Sequence, residues 1–261
     1  MPKALFETAD ISRGSFRVRE WIKTLLSGAI ILGILYVVVN VGVDLVVKHL
    51  PEETESRWFT WLYQPAMRQD AEDLGRARRV FEQLLSSANL RPLTYQLFLL
   101  DLDLPNAIAV PGGGVGITRS MLEYINNDIG LAMVLAHELG HHQHRHGLRR
   151  FGRAVIWQTL LSLGARGEGS GLEVALQASI AGYSRQQERQ ADRFGLQLVH
   201  RTYGHANGAL AFFERIHAEH GMRQSRWAGL MSSHPLSSER LAALRQLQKR
   251  LAAEPLTSDR H

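Results

Sequence analysis

The sequence predicts an α+β protein that is mostly helical, with a small sheet and one N-terminal transmembrane helix. Three observations support this prediction: a long apolar run near the N-terminus, amphipathic helical periodicity over much of the remainder, and a stretch of short apolar runs broken by proline and glycine. The length of 261 residues suffices for one sizeable domain with an appendage. Hydrophobic residues make up 45% of the chain, which excludes a disordered protein.

The composition narrows the chemistry that the chain can carry. It has no cysteine, which excludes disulfide frameworks, iron–sulfur clusters, thiol nucleophiles and zinc sites ligated by cysteine. The formal charge of +5 is small and dispersed, so no nucleic-acid partner is expected. Twelve histidines are present, and five of them fall between positions 137 and 146.

Residues 25–47 form the apolar run, in which only Asn40 and Asp44 are strongly polar. As a helix, this run would be roughly 34 Å long, which is enough to cross a hydrocarbon core of about 30 Å. The alternatives are a cleaved signal peptide, whose apolar region is usually shorter and ends at a site of small residues, and a buried core helix. The uninterrupted length favours an anchor in contact with the lipid bilayer.

Charges on either side of the run predict its orientation. Five basic residues precede it, whereas two basic residues and three glutamates follow within twenty positions. Because basic residues prefer the cytoplasmic side of a membrane, residues 1–24 should be a cytoplasmic tail. In a bacterium, the protein would cross the inner membrane once and place its main domain in the periplasm. Residues 48–67 would be a linker, and residues 68–261 the main domain.

The first half of the main domain combines a helix with short strands. Residues 68–88 are expected to form an amphipathic helix, because apolar positions recur on one face. Residues 94–118 contain short apolar runs between prolines and glycines, which is typical of strands and turns. A long helix should then begin at the caps Asn127–Asp128 and continue to about Gly147.

The second half is expected to be helical throughout. A helix should begin at Ser184, where Gln187 completes a capping box. Two further helices are expected at 207–221 and 237–252, where apolar residues recur on one face. Residues 148–183 lie between the two central helices, and we expect them to form a surface helical hairpin rather than a second span.

The central helix carries the sequence HELGH at residues 137–141. On a helix, positions i and i+4 share a face, so His137 and His141 can bind one tetrahedral metal ion. Glu138 lies beside them and can take a proton from a water molecule activated by that metal. A solvated polar helix face that is rich in histidine is the simpler alternative.

A catalytic zinc site needs a third protein ligand. One class of HExxH enzymes requires glycine at position 144 and histidine at 147, whereas this chain has His144 and Gly147. A second class uses cysteine, which is absent. Glu188 is a candidate on the next predicted helix. Asp192 follows it by one turn, and its carboxylate can accept the second ring N–H of a ligand imidazole.

Together, four segments resemble the M48 family of gluzincin metallopeptidases: NAIAVPGG from Asn106, HELGH from His137, ERQAD from Glu188, and SHP from Ser233, which Arg240 follows. The resemblance covers roughly residues 68–250. It implies a zincin-like metalloprotease domain that binds one Zn2+ per chain. By this resemblance the zinc ligands are His137, His141 and Glu188, with Glu138 as general base and Asp192 supporting a ligand histidine.

The resemblance also implies roles for residues around the cleft. The segment 106–110 is similar to the family's edge strand, which would bind extended polypeptide by backbone pairing; its residues are Asn106, Ala107, Ile108, Ala109 and Val110. The glycines after it would permit a tight turn. His234 would either stabilise the developing oxyanion as a catalytic residue or occupy the fourth zinc position in a resting state. A loop histidine with neither role is the alternative.

The other clustered histidines have simpler interpretations. His142 and His146 should point elsewhere on the helix and not be ligands, whereas His144 lies on nearly the same face as His137. Tyr183 precedes the second motif, and packing is its expected role.

The predicted function is hydrolysis of peptide bonds in unfolded or misfolded polypeptides by a zinc-activated water, in quality control of membrane or exported proteins. The alternative is a membrane-tethered chaperone-like or self-inhibited zinc protein with little proteolysis. Some M48 proteins have many membrane spans or face the cytosol, which differs from the topology inferred here. The sequence does not indicate an oligomeric state.

Overall fold

The computed structural model describes residues 12–64, 74–164, 182–219 and 227–253. The chain divides into two units, Met1–Leu45 and Val46–His261. Helix α1 (Ser12–His49) contains all of the described part of the first unit. Its segment Val18–His49 is long and apolar enough to cross a membrane, with a mean hydropathy of 2.5 in its most apolar window. The predicted apolar helix is therefore present.

The second unit is mostly helical and contains a small sheet, which confirms the predicted fold class. A single 3-10 turn, Thr60–Leu62, follows its first complete helix. In chain order the remaining described elements are α2 (Glu52–Phe59), α3 (Gly75–Ser87), β1 (Gln96–Leu100), β2 (Ala107–Val110), β3 (Gly114–Thr118), α4 (Arg119–Tyr124), α5 (Asp128–Gln143), α6 (His146–Gly164), α7 (Arg185–Tyr203), α8 (Ala211–Glu219), α9 (Ala228–Ser233) and α10 (Ser238–Ala253).

The three strands lie in the order β1-β3-β2, so that β2 is an edge strand of the sheet that the described residues form. Strand β1 is parallel to β3, and β2 is antiparallel to β3, with Ile108 opposite Gly116. Gly112 and Gly113 make the turn between β2 and β3 with φ values of 92° and 104°. A Cβ atom on Gly113 would lie 2.5 Å from the carbonyl oxygen of Thr94, so the turn needs glycine.

Helices α5 and α7 pack closely at the centre of the domain. Gly140 and Gly195 lie at their contact, where a Cβ atom would lie 2.9 Å from Ala191 Cα and 3.0 Å from the backbone nitrogen of His137, respectively. Apolar side chains of both helices share one core with α3 and α10; among them are Leu131, Leu135, Leu196, Val80 and Leu241. This packing places the two predicted motifs face to face.

Both central helices begin as predicted. Asn127 Oδ1 accepts a hydrogen bond from the backbone nitrogen of Gly130 at 2.6 Å, which caps α5. Ser184 and Gln187 form the reciprocal capping box of α7. The predicted helices at 207–221 and 237–252 correspond to α8 and α10.

The predicted end of the long helix near Gly147 is wrong. Helix α5 ends at Gln143, and α6 begins at His146 after a break at Arg145, which has a φ of 53°. Arg145 is held in this uncommon conformation because its guanidinium donates hydrogen bonds to the carbonyl groups of Val47 and Leu50. Those partners are distant in sequence, so no local pattern could indicate the break.

Part of the predicted linker at 48–67 is folded. It contains α2 and the 3-10 turn, and the buried Leu62 and Tyr63 pack against Phe98 and strand β2. Two predicted regions extend outside the described residues: the start of the 68–88 helix, which is described from Gly75 onward, and most of the second half of the 148–183 hairpin, whose first half is the α6 helix.

Candidate metal centre

Helices α5 and α7 bring three of the predicted ligands together in the domain interior. His137 and His141 lie one turn apart on α5, and their Nε2 atoms are 3.1 Å apart. Glu188 lies in the first turn of α7, with Oε1 at 3.5 Å from His141 Nε2 and Oε2 at 3.6 Å from His137 Nε2. All three side chains are buried. The N, N, O donor set predicted from the sequence is therefore assembled in space.

His234 completes this group from the segment after α9. Its Nδ1 atom lies 3.2 Å from His137 Nε2 and 3.2 Å from Glu188 Oε1. The four donor atoms lie within 4.8 Å of one another. A tetrahedral zinc site with bonds of about 2.0–2.1 Å places its ligand atoms roughly 3.3 Å apart. The spacing and chemistry of these donors therefore fit a tetrahedral zinc ion.

Asp192 contacts His137, one of the histidines that the sequence predicts as a zinc ligand. Its Oδ1 atom lies 3.0 Å from His137 Nδ1, which places the ring proton on Nδ1 and leaves the lone pair of Nε2 facing the other donors. Arg240 donates to both oxygens of Asp192, at 2.8 and 2.7 Å. Burial opposes ionisation, but the His137 hydrogen bond and Arg240 hold the pKa of Asp192 below its ordinary value.

Arg240 also reaches Glu188, with Nη1 at 2.6 Å from Oε2. Burial alone would raise the pKa of Glu188, yet His234, His137 and Arg240 together hold it below its ordinary value. Glu188 is therefore a carboxylate, the form that binds a metal. The sequence analysis assigns no role to Arg240. In the structure, Arg240 bridges the two acidic residues of α7, Glu188 and Asp192.

His146 contacts the ring of His141 on the side away from the other donors. The sequence analysis did not predict this contact. The Nδ1 atoms of these two histidines are 3.0 Å apart, and His146 Nε2 lies 3.0 Å from Gln190 Oε1. Because the Gln190 oxygen can only accept, His146 carries its proton on Nε2, and His141 Nδ1 then donates to His146 Nδ1. This assignment leaves the lone pair of His141 Nε2 facing the other donors.

His141 is neutral in this environment. Burial and the neighbouring imidazoles of His137 and His234 hold the pKa of His141 well below its ordinary value of 6.5. The ring of Tyr183 stacks on that of His141 at a centroid distance of 3.8 Å, so Tyr183 packs beside the donor group. His142 points away, as predicted, and its Nε2 donates to the carbonyl of Gly114 at 2.9 Å.

Glu138 lies beside the donor group and is 2% exposed. Its Oε1 atom is 3.5 Å from His234 Nε2. The Glu138 carboxylate also faces the backbone amide of Ala109 on the edge strand. Its Oε2 atom is buried and has no hydrogen-bond partner within the described part of the chain. Burial raises the pKa of Glu138, although His234 and His137 oppose the shift. Such a carboxylate is suited to accept a proton.

An apolar recess opens next to Glu138 and His137. Its walls include Phe213, Leu230 and Leu236, and the space in it that a water molecule could occupy is about 20 Å3. Strand β2 borders the recess through Ala107. The predicted edge strand, the general-base candidate and an apolar pocket therefore lie together.

Several curated proteins are similar in sequence to this chain. It is 28% identical over 186 residues to the mitochondrial metalloendopeptidase OMA1 of Schizosaccharomyces pombe, covering 69% of this chain and 55% of that protein. It is 30% identical over 178 residues to the beta-barrel assembly-enhancing protease of Escherichia coli (strain K12), covering 62% and 36%. It is 28% identical over 178 residues to the metalloprotease YcaL of the same strain, covering 65% and 68%.

The chain thus spans about half or less of the length of the first two of these relatives. The match to the sequence model of Peptidase family M48 covers residues 72–248, which include the four donor residues, Glu138, Asp192 and Arg240. With this match the resemblance seen in the sequence motifs is confirmed, and the chain belongs to peptidase family M48.

Proposed function

We propose that the protein is a membrane-anchored, zinc-dependent endopeptidase. The observation that supports this function most directly is the convergence of His137, His141 and Glu188 with Glu138 beside them, 0–4% exposed. Membership of family M48 implies a metallopeptidase. Two imidazoles and one carboxylate at tetrahedral spacing favour zinc over metals that prefer all-oxygen sites.

Bound zinc supplies Lewis-acid activation of water and of the scissile carbonyl. Glu138 acts as general base: its unpartnered Oε2 accepts a proton from the attacking water and later delivers it to the leaving amine. Asp192 and Arg240 hold His137 and Glu188 in place through buried hydrogen bonds and ion pairs. Because these partners are already ordered, the ligands need little reorganisation when the metal binds.

The edge strand binds the substrate in this proposal. Residues 106–110 adjoin Glu138 through Ala109, and extended polypeptide would pair with the edge of β2 that no other described strand occupies. The apolar lining of the recess beside Glu138 would favour apolar side chains of the bound segment. Such side chains are exposed in unfolded or misfolded polypeptides, which are therefore the proposed substrates.

The position of His234 beside the proposed zinc ligands supports a self-inhibited resting state. Its Nδ1 atom lies 3.2 Å from both His137 Nε2 and Glu188 Oε1, so His234 could be a fourth donor to a bound zinc ion in place of water or substrate. For catalysis His234 would have to turn away, and its imidazole could then stabilise the oxyanion. This arrangement also supports the second candidate function, a zinc protein whose chaperone-like binding exceeds its proteolysis.

The biological role follows from the anchor and from the relatives. We place the domain in the periplasm, tethered to the inner membrane by residues 25–47, because of the basic N-terminal flank. The relatives' names include a mitochondrial metalloendopeptidase and a bacterial protease that enhances β-barrel assembly. Quality control of membrane or exported proteins is the corresponding proposal for this chain.

The substitution Glu138→Gln tests the proposed chemistry. It keeps the size of the side chain but removes the base, so we expect zinc content to stay at one per chain and casein cleavage to fall by about 100-fold or more. Zinc is measured by atomic absorption, and cleavage by release of fluorescent peptides. Cleavage by this variant at the wild-type rate would exclude Glu138 as the base.

The substitution His234→Ala, measured in the same two assays, separates the two candidate functions. If His234 blocks an active protease, the variant should retain zinc through the other three ligands and cleave casein faster than the wild type. If His234 stabilises the oxyanion instead, cleavage should fall by about 100-fold. Loss of zinc from the variant would indicate a four-ligand structural site and favour the chaperone-like function.

A further inference from the structure

The segment between the apolar helix and the domain core has two different faces. On its inner face Glu55, Leu62 and Tyr63 are 1–8% exposed. On its outer face Trp58 and Trp61 are 56% and 50% exposed. Tryptophan is usually buried in water-soluble domains, so the exposure of two such side chains three residues apart suggests a surface that contacts something other than water.

The inner face is firmly attached to the domain. Tyr63 donates a hydrogen bond to the carbonyl of Gly112 at 3.1 Å, and its ring stacks on Phe98 at 5.6 Å. The hydroxyl of Ser56 accepts from the backbone nitrogen of Thr94 at 3.1 Å. These contacts involve the sheet and the glycine turn, so the position of α2 is tied to that of the edge strand.

The start of the segment is attached to the end of the metal-binding helix. Arg145, which follows α5, donates to the carbonyls of Val47 and Leu50, at 2.6 Å for the latter. Its Nε atom lies 3.3 Å from Glu55 Oε2, and both side chains are buried. The chain from Val47 to Tyr63 is therefore part of the folded domain, and no free tether separates residue 47 from the site.

The adjacent apolar span indicates which environment the outer face contacts. Residue 47 is the last residue of the proposed span, and Trp58 follows it by only eleven positions of compact, folded chain. Tryptophan prefers the headgroup region of membranes, where its ring is shielded from water and its N–H remains hydrated.

We propose that Trp58 and Trp61 lie in the headgroup layer of the membrane that holds the N-terminal span, so that the domain is held against the bilayer surface. The substrates cleaved best would then be polypeptide segments that lie at the membrane surface. This inference rests on the membrane anchor of the proposed function but not on the assignment of Glu138 or of the zinc ligands.

Spin labelling can test this placement, because the chain has no native cysteine. The full-length protein is reconstituted into vesicles of phosphatidylethanolamine and phosphatidylglycerol with one nitroxide, attached at Trp58→Cys or Trp61→Cys. Leu32→Cys, within the span, and Gln197→Cys, exposed on α7, serve as references. The ratio of collisions with oxygen to collisions with a water-soluble nickel chelate measures the depth of each label.

Labels at 58 and 61 should give ratios between those of the two references. If the labels at 58 and 61 gave the same ratio as the label at 197 while the label at 32 lay deep in the bilayer, the inference would be overturned. The membrane anchor itself would still be supported. A label at 32 in water would reject both the anchor and this inference, whereas casein cleavage by the same protein would still support the peptidase assignment.

An activity measurement adds a second test. The double variant Trp58→Ser/Trp61→Ser should cleave a membrane-anchored peptide several-fold more slowly than the wild type and cleave casein at the same rate. The control Leu102→Ser/Leu104→Ser removes two other exposed apolar side chains, 44% and 41% exposed, and should change neither rate. Equal cleavage of the anchored peptide by the two double variants would contradict the inference.

Discussion

His146 and Gln190 add a second layer of hydrogen bonds behind His141. The proton positions that follow from the Gln190 oxygen leave His141 with one tautomer, the one whose Nε2 lone pair can bind a metal. His137 is oriented in an equivalent way by a different kind of partner, the carboxylate of Asp192. Each ligand histidine of the proposed site thus has its ring orientation and its tautomer set by a neighbour.

The substitution His146→Ala should weaken zinc binding without removing a ligand. His141 would lose the acceptor for its Nδ1 proton, and both tautomers would become accessible. Loss of such a partner typically costs 10–100-fold in metal affinity, which competition with a fluorescent zinc chelator measures. The control is His217→Ala, which removes an exposed histidine of α8 and should leave the affinity unchanged. An affinity of His146→Ala equal to that of the control would contradict the role.

Spacing along the sequence predicted the pairs that share one helix face. His137 with His141, and Glu188 with Asp192, are separated by four residues, and the helix brings each pair to one side. His146 follows His141 by five residues, which on a continuous helix would point it elsewhere. It contacts His141 only because the helix breaks at Arg145, and that break depends on tertiary hydrogen bonds.

At the scale of elements, the crossing of α5 and α7 controls the distance between the metal-binding motifs. Gly140 lies within the HELGH sequence and opposite Ala191, which lies within the ERQAD sequence. A Cβ atom at 140 would lie 2.9 Å from Ala191 Cα and 3.0 Å from its carbonyl oxygen. Because these are backbone atoms, a larger residue could be accommodated only if the helices moved apart.

The substitution Gly140→Ala should therefore reduce both stability and zinc affinity. Alanine favours a helix by up to about 1 kcal/mol over glycine, but overpacking typically costs about 1–3 kcal/mol, so the net change in the free energy of unfolding should be a loss. Denaturant unfolding and chelator competition measure the two effects. In the control Gly75→Ala, the added Cβ meets no atom within 4 Å, and neither quantity should fall. A Gly140→Ala variant as stable as this control would contradict the argument.

Local sequence signals predict where helices begin better than they predict which residues pack against each segment. Asn127, Ser184 and Gln187 cap their helices through hydrogen bonds to residues three positions away, so the sequence alone contains the information. For the segment at 48–67 the sequence predicts an acidic linker. Glu55 is instead buried against Arg145, a partner ninety residues away that no local pattern reveals.

At the scale of the whole molecule, the candidate metal centre joins three distant parts of the chain. His137 and His141 belong to α5, Glu188 to α7, and His234 to the segment after α9. Four buried donors at this spacing, with the buried charges of Asp192 and Arg240 behind them, are costly to hold together without a cation. The binding free energy of zinc should therefore contribute to the stability of the whole fold.

Removal of the metal should consequently lower the melting temperature. A ligand present at a thousandfold its Kd stabilises the native state by about 4 kcal/mol, which for a domain of this size corresponds to roughly 10 °C. Circular dichroism melts of the purified protein in detergent, with zinc or with EDTA, measure the shift. Glu138→Gln should keep the full shift, because it keeps every ligand, whereas His137→Ala should lose most of it. Equal shifts in these two variants would mean that zinc stabilises the fold from elsewhere, and the metal centre would then have to be assigned to other residues.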